Sequence, residues 1–241
     1  MQTTDNPFTA SPATLTTGSP QQKATTSSSN RQETSTTPSP EATTQPQPGA
    51  EQAQRSRSDQ DTFHTLMRNA SYSPDTAGDD YPRLLTAWTT ARAHTPPRGL
   101  AITGPFGCGK THAARALWPR AKILHCALTN AIERLASTAF YETDDWLRDL
   151  ILDDLGAENL HNDYGIIRDP IANLIIRRHH HAELHALHPD RFIPPGTLTI
   201  TTNLPFGTGQ GTLAHRLGGR AASRLRQMCT PIEMKGKDKR R

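Results

Sequence analysis

Residues 99–117, Gly-Leu-Ala-Ile-Thr-Gly-Pro-Phe-Gly-Cys-Gly-Lys-Thr-His-Ala-Ala-Arg-Ala-Leu, restrict the possible folds more than any other stretch. Gly99–Thr103 reads as a short buried strand, and Lys110–Leu117 as a helix that follows almost at once. Between them run Gly104, Pro105, Phe106, Gly107, Cys108, Gly109, Lys110 and Thr111. Glycine, four residues, then Gly-Lys-Thr is the spacing of a phosphate-binding loop. The glycines let successive backbone N–H groups point inward at phosphate oxygens, and the helix adds its positive end beneath them. Lys110 is then expected to reach the β- and γ-phosphates of a nucleoside triphosphate, and the Thr111 hydroxyl to ligate Mg²⁺. Strand, loop and helix in this order predict an α/β fold. The expected architecture is a parallel sheet with helices on both faces and nucleotide at the C-terminal strand ends.

The first 60 residues have a different composition. Ser, Thr, Pro and Gln supply 38 of them, and the large apolar residues are Met1, Phe8 and Leu15. Such a segment buries too little surface to offset its ordering entropy, so residues 1–61 are expected to be a disordered tail. It has no apolar signal-peptide core, and no later run is long enough to cross a membrane. Residues 62–241 suffice for one α/β domain. Cys108, Cys126 and Cys229 are widely spaced without a CxxC pair, which argues against a disulfide scaffold or a cysteine zinc module and suits a reducing cytoplasm. The net charge of +4 is unevenly spread. Arg216–Arg241 holds nine Lys or Arg against Glu233 and Asp238, a basic end suited to phosphate, on nucleotide or nucleic acid.

Along the core, a lead-in segment spans Phe63–Tyr72, and Leu84, Leu85, Trp88 and Ala91 mark a helix stopped by Pro96-Pro97. Ala121–Cys126 predicts a strand, Ile132–Phe140 a helix, and Ile171–His188 one or two helices. Asp149-Leu-Ile-Leu-Asp-Asp-Leu-Gly156 reads as a buried parallel strand ending in an acidic pair, the Walker B pattern. Asp153 is expected to hold Mg²⁺ directly or through water. Asp154 stands where many such ATPases carry a Glu that polarises the attacking water, and its shorter reach points to slow hydrolysis. Thr197–Asn203 is a β-branched strand whose terminal Asn203 is placed to orient water or sense the γ-phosphate. His179, His180, His181, His185 and His188 include a one-turn pair but no HExxH pattern, so a polar helix end is expected rather than a metal site.

Taken together, these motifs resemble AAA+ ATPases of the DnaC/IstB type, bacterial and phage helicase loaders and transposition helpers. The resemblance covers about residues 66–241. Arg68-Asn-Ala-Ser-Tyr72 resembles the family's lead-in motif, and Gly104–His112 its Walker A, including His112 after the threonine. Leu150-Ile-Leu-Asp-Asp-Leu-Gly-Ala-Glu158 is nearly the family's Walker B segment, and Thr201-Thr-Asn-Leu-Pro205 is similar to its sensor 1. Leu217–Cys229 resembles the block carrying the arginine finger. The resemblance implies that Arg224 is that finger, with Arg220 as competitor, and that Arg240 is the sensor 2 arginine. Lys239 departs from the aromatic residue usual before it. Arg178 aligns with an Asn-any-Arg-Tyr helix in which His179 replaces Tyr.

The same resemblance implies ATP and Mg²⁺ as ligands and a homo-oligomer, because a finger acting in trans has no target within a monomer. Expected partners are DNA, single-stranded and held without regard to sequence, and a replicative helicase or a transposase. Loading or remodelling a helicase during replication is the leading function, and transposition help the alternative. A small-molecule kinase also uses a P-loop, but it would need an acceptor pocket and an arginine-bearing lid, and neither Asn203 nor oligomers.

Overall fold

A computed structural model describes residues 48–157, 161–163 and 166–238. Of the tail expected over residues 1–61, residues 1–47 lie outside the described residues, as do Glu158 and Arg240. In chain order the elements are α1 (Pro48–Asn69), α2 (Pro74–Ala77), α3 (Asp80–Arg92), β1 (Gly99–Thr103), α4 (Lys110–Leu117), β2 (Lys122–His125), α5 (Thr129–Ala136), α6 (Thr138–Glu142), a 3₁₀ turn (Asp144–Leu147) and β3 (Leu150–Leu155). There follow a small antiparallel hairpin of β4 (His161–Asp163) and β5 (Ile166–Arg168), then α7 (Pro170–Leu187), β6 (Leu198–Thr202), α8 (Leu213–Met228) and β7 (Cys229–Glu233).

Five strands form one parallel sheet in the order β2-β3-β6-β1-β7. The expected α/β architecture is present. Both faces are covered, so the central strands are runs of apolar residues and threonine, broken only by the acidic pair near the end of β3. Every residue of β1 and of β6 is buried. Leu100, Ile102, Ile151 and Ile232 pack with Phe63, Met67, Leu84 and Trp88 on one face. Ala101, Leu150, Leu152, Leu198 and Ile200 point the other way, onto Leu135, Ile171, Leu174, Leu217 and Leu225. The strand period of two therefore divides the core into two layers, one on each side of the sheet.

Two expectations are corrected by the structure, and one left open is narrowed. Helix α1 reaches back to Pro48, inside the stretch expected to be disordered up to residue 61. Residues 51–60 are rich in Ala, Gln, Glu and Arg, good helix formers, and Asp59 ties the helix to α3. The Trp88 Nε1–H donates to the Asp59 carbonyl at 3.3 Å, and Arg92 pairs with its carboxylate at 3.4 Å. The helix expected over Ile132–Phe140 is two helices, α5 and α6, because Ser137 is extended (φ −73°, ψ 136°) and ends the first run. The histidine-rich stretch is one continuous helix, α7.

Arg178 is a structural residue. It is 1% exposed, and its guanidinium donates to the carbonyls of Trp146, Arg148 (3.0 Å) and Gly196 (2.6 Å). Burial pulls its pKa down to about 10, against the opposing pull of Cys229 and Asp149. It thus clamps the segments leading into β3 and β6. Nearby, His181 and His185 bond the carbonyls of Ile193 (2.9 Å) and Phe192 (2.8 Å), and His179 contacts Gln227 and Glu183. Among the described residues no group of three or more His, Cys, Asp or Glu is placed to hold a metal.

Candidate functional site

The site forms where β1, β3 and β6 end together. β1 runs into the loop Gly104–Gly109, and α4 begins at Lys110. Gly104 (φ 147°) must be glycine, because a Cβ there would meet the Met234 carbonyl oxygen at 2.4 Å. Gly107 is held by its positive φ (74°), and a Cβ there would displace the Asp238 carboxylate. The segment after β7 therefore lies directly against the loop. Asp80, 1% exposed at the start of α3, holds it there by accepting the backbone N–H groups of Lys235 and Gly236, both at 2.8 Å. Neither Asp80 nor this strap was foreseen from sequence, because the partners are distant along the chain.

Lys110 is 5% exposed. Its ammonium donates to the carbonyls of Gly104 (3.0 Å) and Pro105 (2.7 Å) and to Asn203 Oδ1 (2.8 Å). The expected sensor residue and the expected phosphate-binding lysine are thus in direct contact, Asn203 being held at the end of β6. The Thr111 hydroxyl donates to Asp153 Oδ1 at 2.8 Å. The two residues expected to hold Mg²⁺ are therefore adjacent, with hard oxygen donors side by side.

The acidic pair is arranged by a bulge in β3. Leu150 and Leu152 face one layer and Ile151 the other, so period-two alternation would put Leu155 with Ile151. Leu155 instead packs with Leu150 and Leu152, and the register with β6 shifts between Leu152 and Leu155. The slip falls at Asp154, which adopts left-handed geometry (φ 55°), a conformation Asp tolerates better than most residues. Two buried threonines of β6 repair the broken ladder. Thr201 Oγ1 accepts the Asp154 N–H at 3.0 Å and donates to Asp153 Oδ1 at 2.7 Å. Thr202 Oγ1 donates to the Leu155 carbonyl at 2.6 Å. The threonine run was read only as β-branched; its signal was that fully buried hydroxyls need partners. Asp153 has a further partner, His125 Nδ1, at 3.0 Å from Oδ2, also missed from sequence.

Lys110, Thr111, Asp154 and Asn203 face a cleft of about 630 Å³, within the usual range for a small-molecule site, and the buried Asp153 is bonded to Thr111 beside it. One wall is the loop and the start of α4, from Phe106 to His112. Asp154 and Asn203 line it from the sheet, and Ser71, Tyr72 and Thr76 from the lead-in segment. His112 joins two of these walls, since its Nε2 bonds the Ala70 carbonyl at 2.9 Å and its ring stacks on Tyr72 at 5.3 Å. Burial, reinforced by the charges of Asp80 and Cys108, pushes the Tyr72 phenol well above its ordinary pKa. Cys108 is buried within the loop, and Phe106 is 72% exposed.

Arg224 and Arg220 lie on α8 and do not line the cleft. The Arg224 side chain makes no hydrogen bond or ion pair among the described residues. No described helix is long and apolar enough to cross a membrane.

No protein-family model matches this chain. No curated protein is significantly similar to it. Among solved structures, the chain is similar to a candidate primosome component from Streptococcus pyogenes serotype M3, with 19% identity and a TM-score of 0.42 over 66% of this chain and 79% of that one.

Proposed function

We propose that this chain is a Mg²⁺-dependent ATPase of the AAA+ type that acts on DNA, loading or remodelling a replicative helicase. One observation carries the ATPase reading. Lys110, Thr111, Asp153, Asp154 and Asn203, distant in sequence, converge at the C-terminal ends of three parallel strands beside a cleft. The donor set fits the ligand. The N–H groups of a glycine-rich loop at a helix N-terminus and a buried ammonium suit a polyphosphate. A hydroxyl and a carboxylate 2.8 Å apart suit Mg²⁺ and offer nothing to a soft metal. Thr111 and Asp153 would hold the ion, which supplies charge neutralisation at the β- and γ-phosphate oxygens.

The chain's own groups divide the remaining tasks. Lys110 exchanges its present carbonyl partners for phosphate oxygens, and Asn203, already bonded to it, follows the terminal phosphate. Asp154, turned into the cleft by the bulge, accepts a hydrogen bond from water and orients it for attack. The reaction closes when Arg224 of a neighbouring subunit adds positive charge to the transferring phosphoryl group. An arginine that is half-exposed, without a side-chain partner among the described residues and away from its own cleft suits that role better than a salt bridge would. Helicase loading rests on the resemblance of the motifs, above all Leu150–Glu158, and the basic C-terminal region suits a phosphate backbone.

The deciding experiment is ATP hydrolysis by the full chain, with and without single-stranded DNA, beside Lys110→Ala and Arg224→Ala. The expected result is turnover stimulated by DNA and abolished in both variants. Turnover indifferent to DNA and to Arg224, but raised by a small phosphate acceptor, would replace this reading with a kinase. Co-elution with the replicative helicase of the source cell, dependent on ATP, tests the loading step separately.

A further inference from the structure

We infer that His125 is a positioning residue for the divalent metal, acting through Asp153; this rests on the ATPase reading above. The two residues are register partners on neighbouring parallel strands, His125 closing β2 and Asp153 near the end of β3. The strand ends are fixed to each other at this level, since the Cys126 N–H donates to the Asp153 carbonyl at 2.8 Å. Paired residues on adjacent strands present their side chains to the same face, and the His125 ring meets Asp153 Oδ2 at 3.0 Å.

The unequal exposure of the pair separates this contact from an ordinary surface bridge. The His125 side chain is 42% exposed, whereas that of Asp153 is 3% exposed. A histidine at that exposure contributes little to the core, and its visible connection is to a buried carboxylate. Both oxygens of that carboxylate are held. Oδ1 accepts from Thr111 and Thr201, and Oδ2 from His125. A metal would take a lone pair of the Thr111 hydroxyl and leave its O–H free to keep donating to Asp153 Oδ1. Thr111 and Thr201 then restrain one oxygen and His125 alone the other, so the carboxylate keeps the orientation it needs as a ligand. Donors behind a ligating carboxylate are worth about 10- to 100-fold in metal affinity.

The test uses the full chain with Mn²⁺ as the probe, read by electron paramagnetic resonance in the presence of a non-hydrolysable ATP analogue. Binding of a fluorescent ATP analogue in EDTA reports the nucleotide site without metal. His125→Ala should weaken Mn²⁺ binding about tenfold or more. It should leave metal-free nucleotide binding within about twofold and the melting temperature within about 3 °C of wild type, as suits an exposed side chain. His125→Asn, whose amide N–H can stand in for Nδ1–H, should recover most of the loss. Equal Mn²⁺ affinity in His125→Ala and wild type would overturn the inference, as would equal losses with and without metal. If wild type binds no nucleotide in either condition, the ATPase reading fails, and this inference with it.

Discussion

Asp80→Asn tests whether the segment after β7 is held against the Gly104–Gly109 loop by one carboxylate. Asp80 is 1% exposed and accepts two backbone N–H groups, from Lys235 and Gly236, at 2.8 Å each. Its place in the first turn of α3 adds the favourable field of a helix N-terminus. A hydrogen bond to a charged group is worth about 1.5–3 kcal/mol net, roughly twice a neutral one. Asparagine keeps one acceptor and turns its NH₂ toward the other N–H, so one bond is lost and the survivor is weakened. The ceiling is about 4 kcal/mol, but Lys235 is exposed and Gly236 half-buried, so water can reach the released amides. The expected cost is therefore about 2 kcal/mol for Asp80→Asn and about 3 kcal/mol for Asp80→Ala. With a urea m-value of about 2 kcal/mol/M, the first lowers the unfolding midpoint by about 1 M. Amide exchange should accelerate at Lys235 and Gly236 before the core strands respond. The Tyr72 phenol gives an independent readout: its pKa should fall on loss of the Asp80 charge, yet stay raised because burial is the larger cause. A midpoint within about 0.2 M of wild type in both variants, with unchanged exchange at the two amides, would refute the clamp.

Three further perturbations have expected outcomes. Arg178→Met leaves the carbonyls of Trp146, Arg148 and Gly196 without their donor and should cost about 3–5 kcal/mol in urea unfolding. Nucleotide affinity of the folded fraction should be unchanged, and a selective loss of binding would return Arg178 to the site. Gly104→Ala puts a Cβ 2.4 Å from the Met234 carbonyl at φ 147° and should cut nucleotide affinity more than about tenfold by calorimetry, because neither backbone can give way cheaply. The hydrogen bond from Lys122, then its charge and those of Arg148 and Arg134, holds the Asp145 carboxyl below its ordinary value of 3.8. A lowered folded pKa stabilises above the unfolded value, and that contribution is lost as pH falls through the folded one. The melting-temperature gap between wild type and Asp145→Asn should be full at pH 6 and close progressively below pH 3.8; a gap independent of pH would count against the ion cluster.

Local pattern and long-range pairing divide what the sequence reveals about this molecule. The loop, its strand and its helix are contiguous, so Gly104–Leu117 is legible from spacing alone. Asp149–Leu155 is legible as a buried strand because its apolar run ends in charge. Once the sheet is assumed, Lys110, Thr111, Asp153 and Asn203 must meet, since parallel strands put their C-terminal ends together. By contrast, Cys-Thr-Pro-Ile-Glu, the edge strand β7, has a proline that disguises it, although an edge tolerates Pro231. His125 and Asp153 are 28 residues apart, and Asp80 and Gly236 are 156 apart. Neither contact leaves a periodic trace.

The same distinction explains the acidic pair. From sequence, Asp154 is a shortened version of a longer acid, with reach as its weakness. In the fold, reach is set by the backbone as much as by the side chain, and the bulge carries Asp154 to the cleft wall. That displacement leaves the Asp154 N–H and the Leu155 carbonyl without ladder partners, and hydroxyls on β6 take both. Thr201 and Thr202 are thus part of the site although neither need touch a ligand. Replacing Thr201 with valine would keep the volume and the β-propensity yet strand a buried N–H and release one restraint on Asp153. An apolar residue of the same shape is therefore not equivalent there, and the short acid and the threonine-rich neighbour strand are best understood as one device.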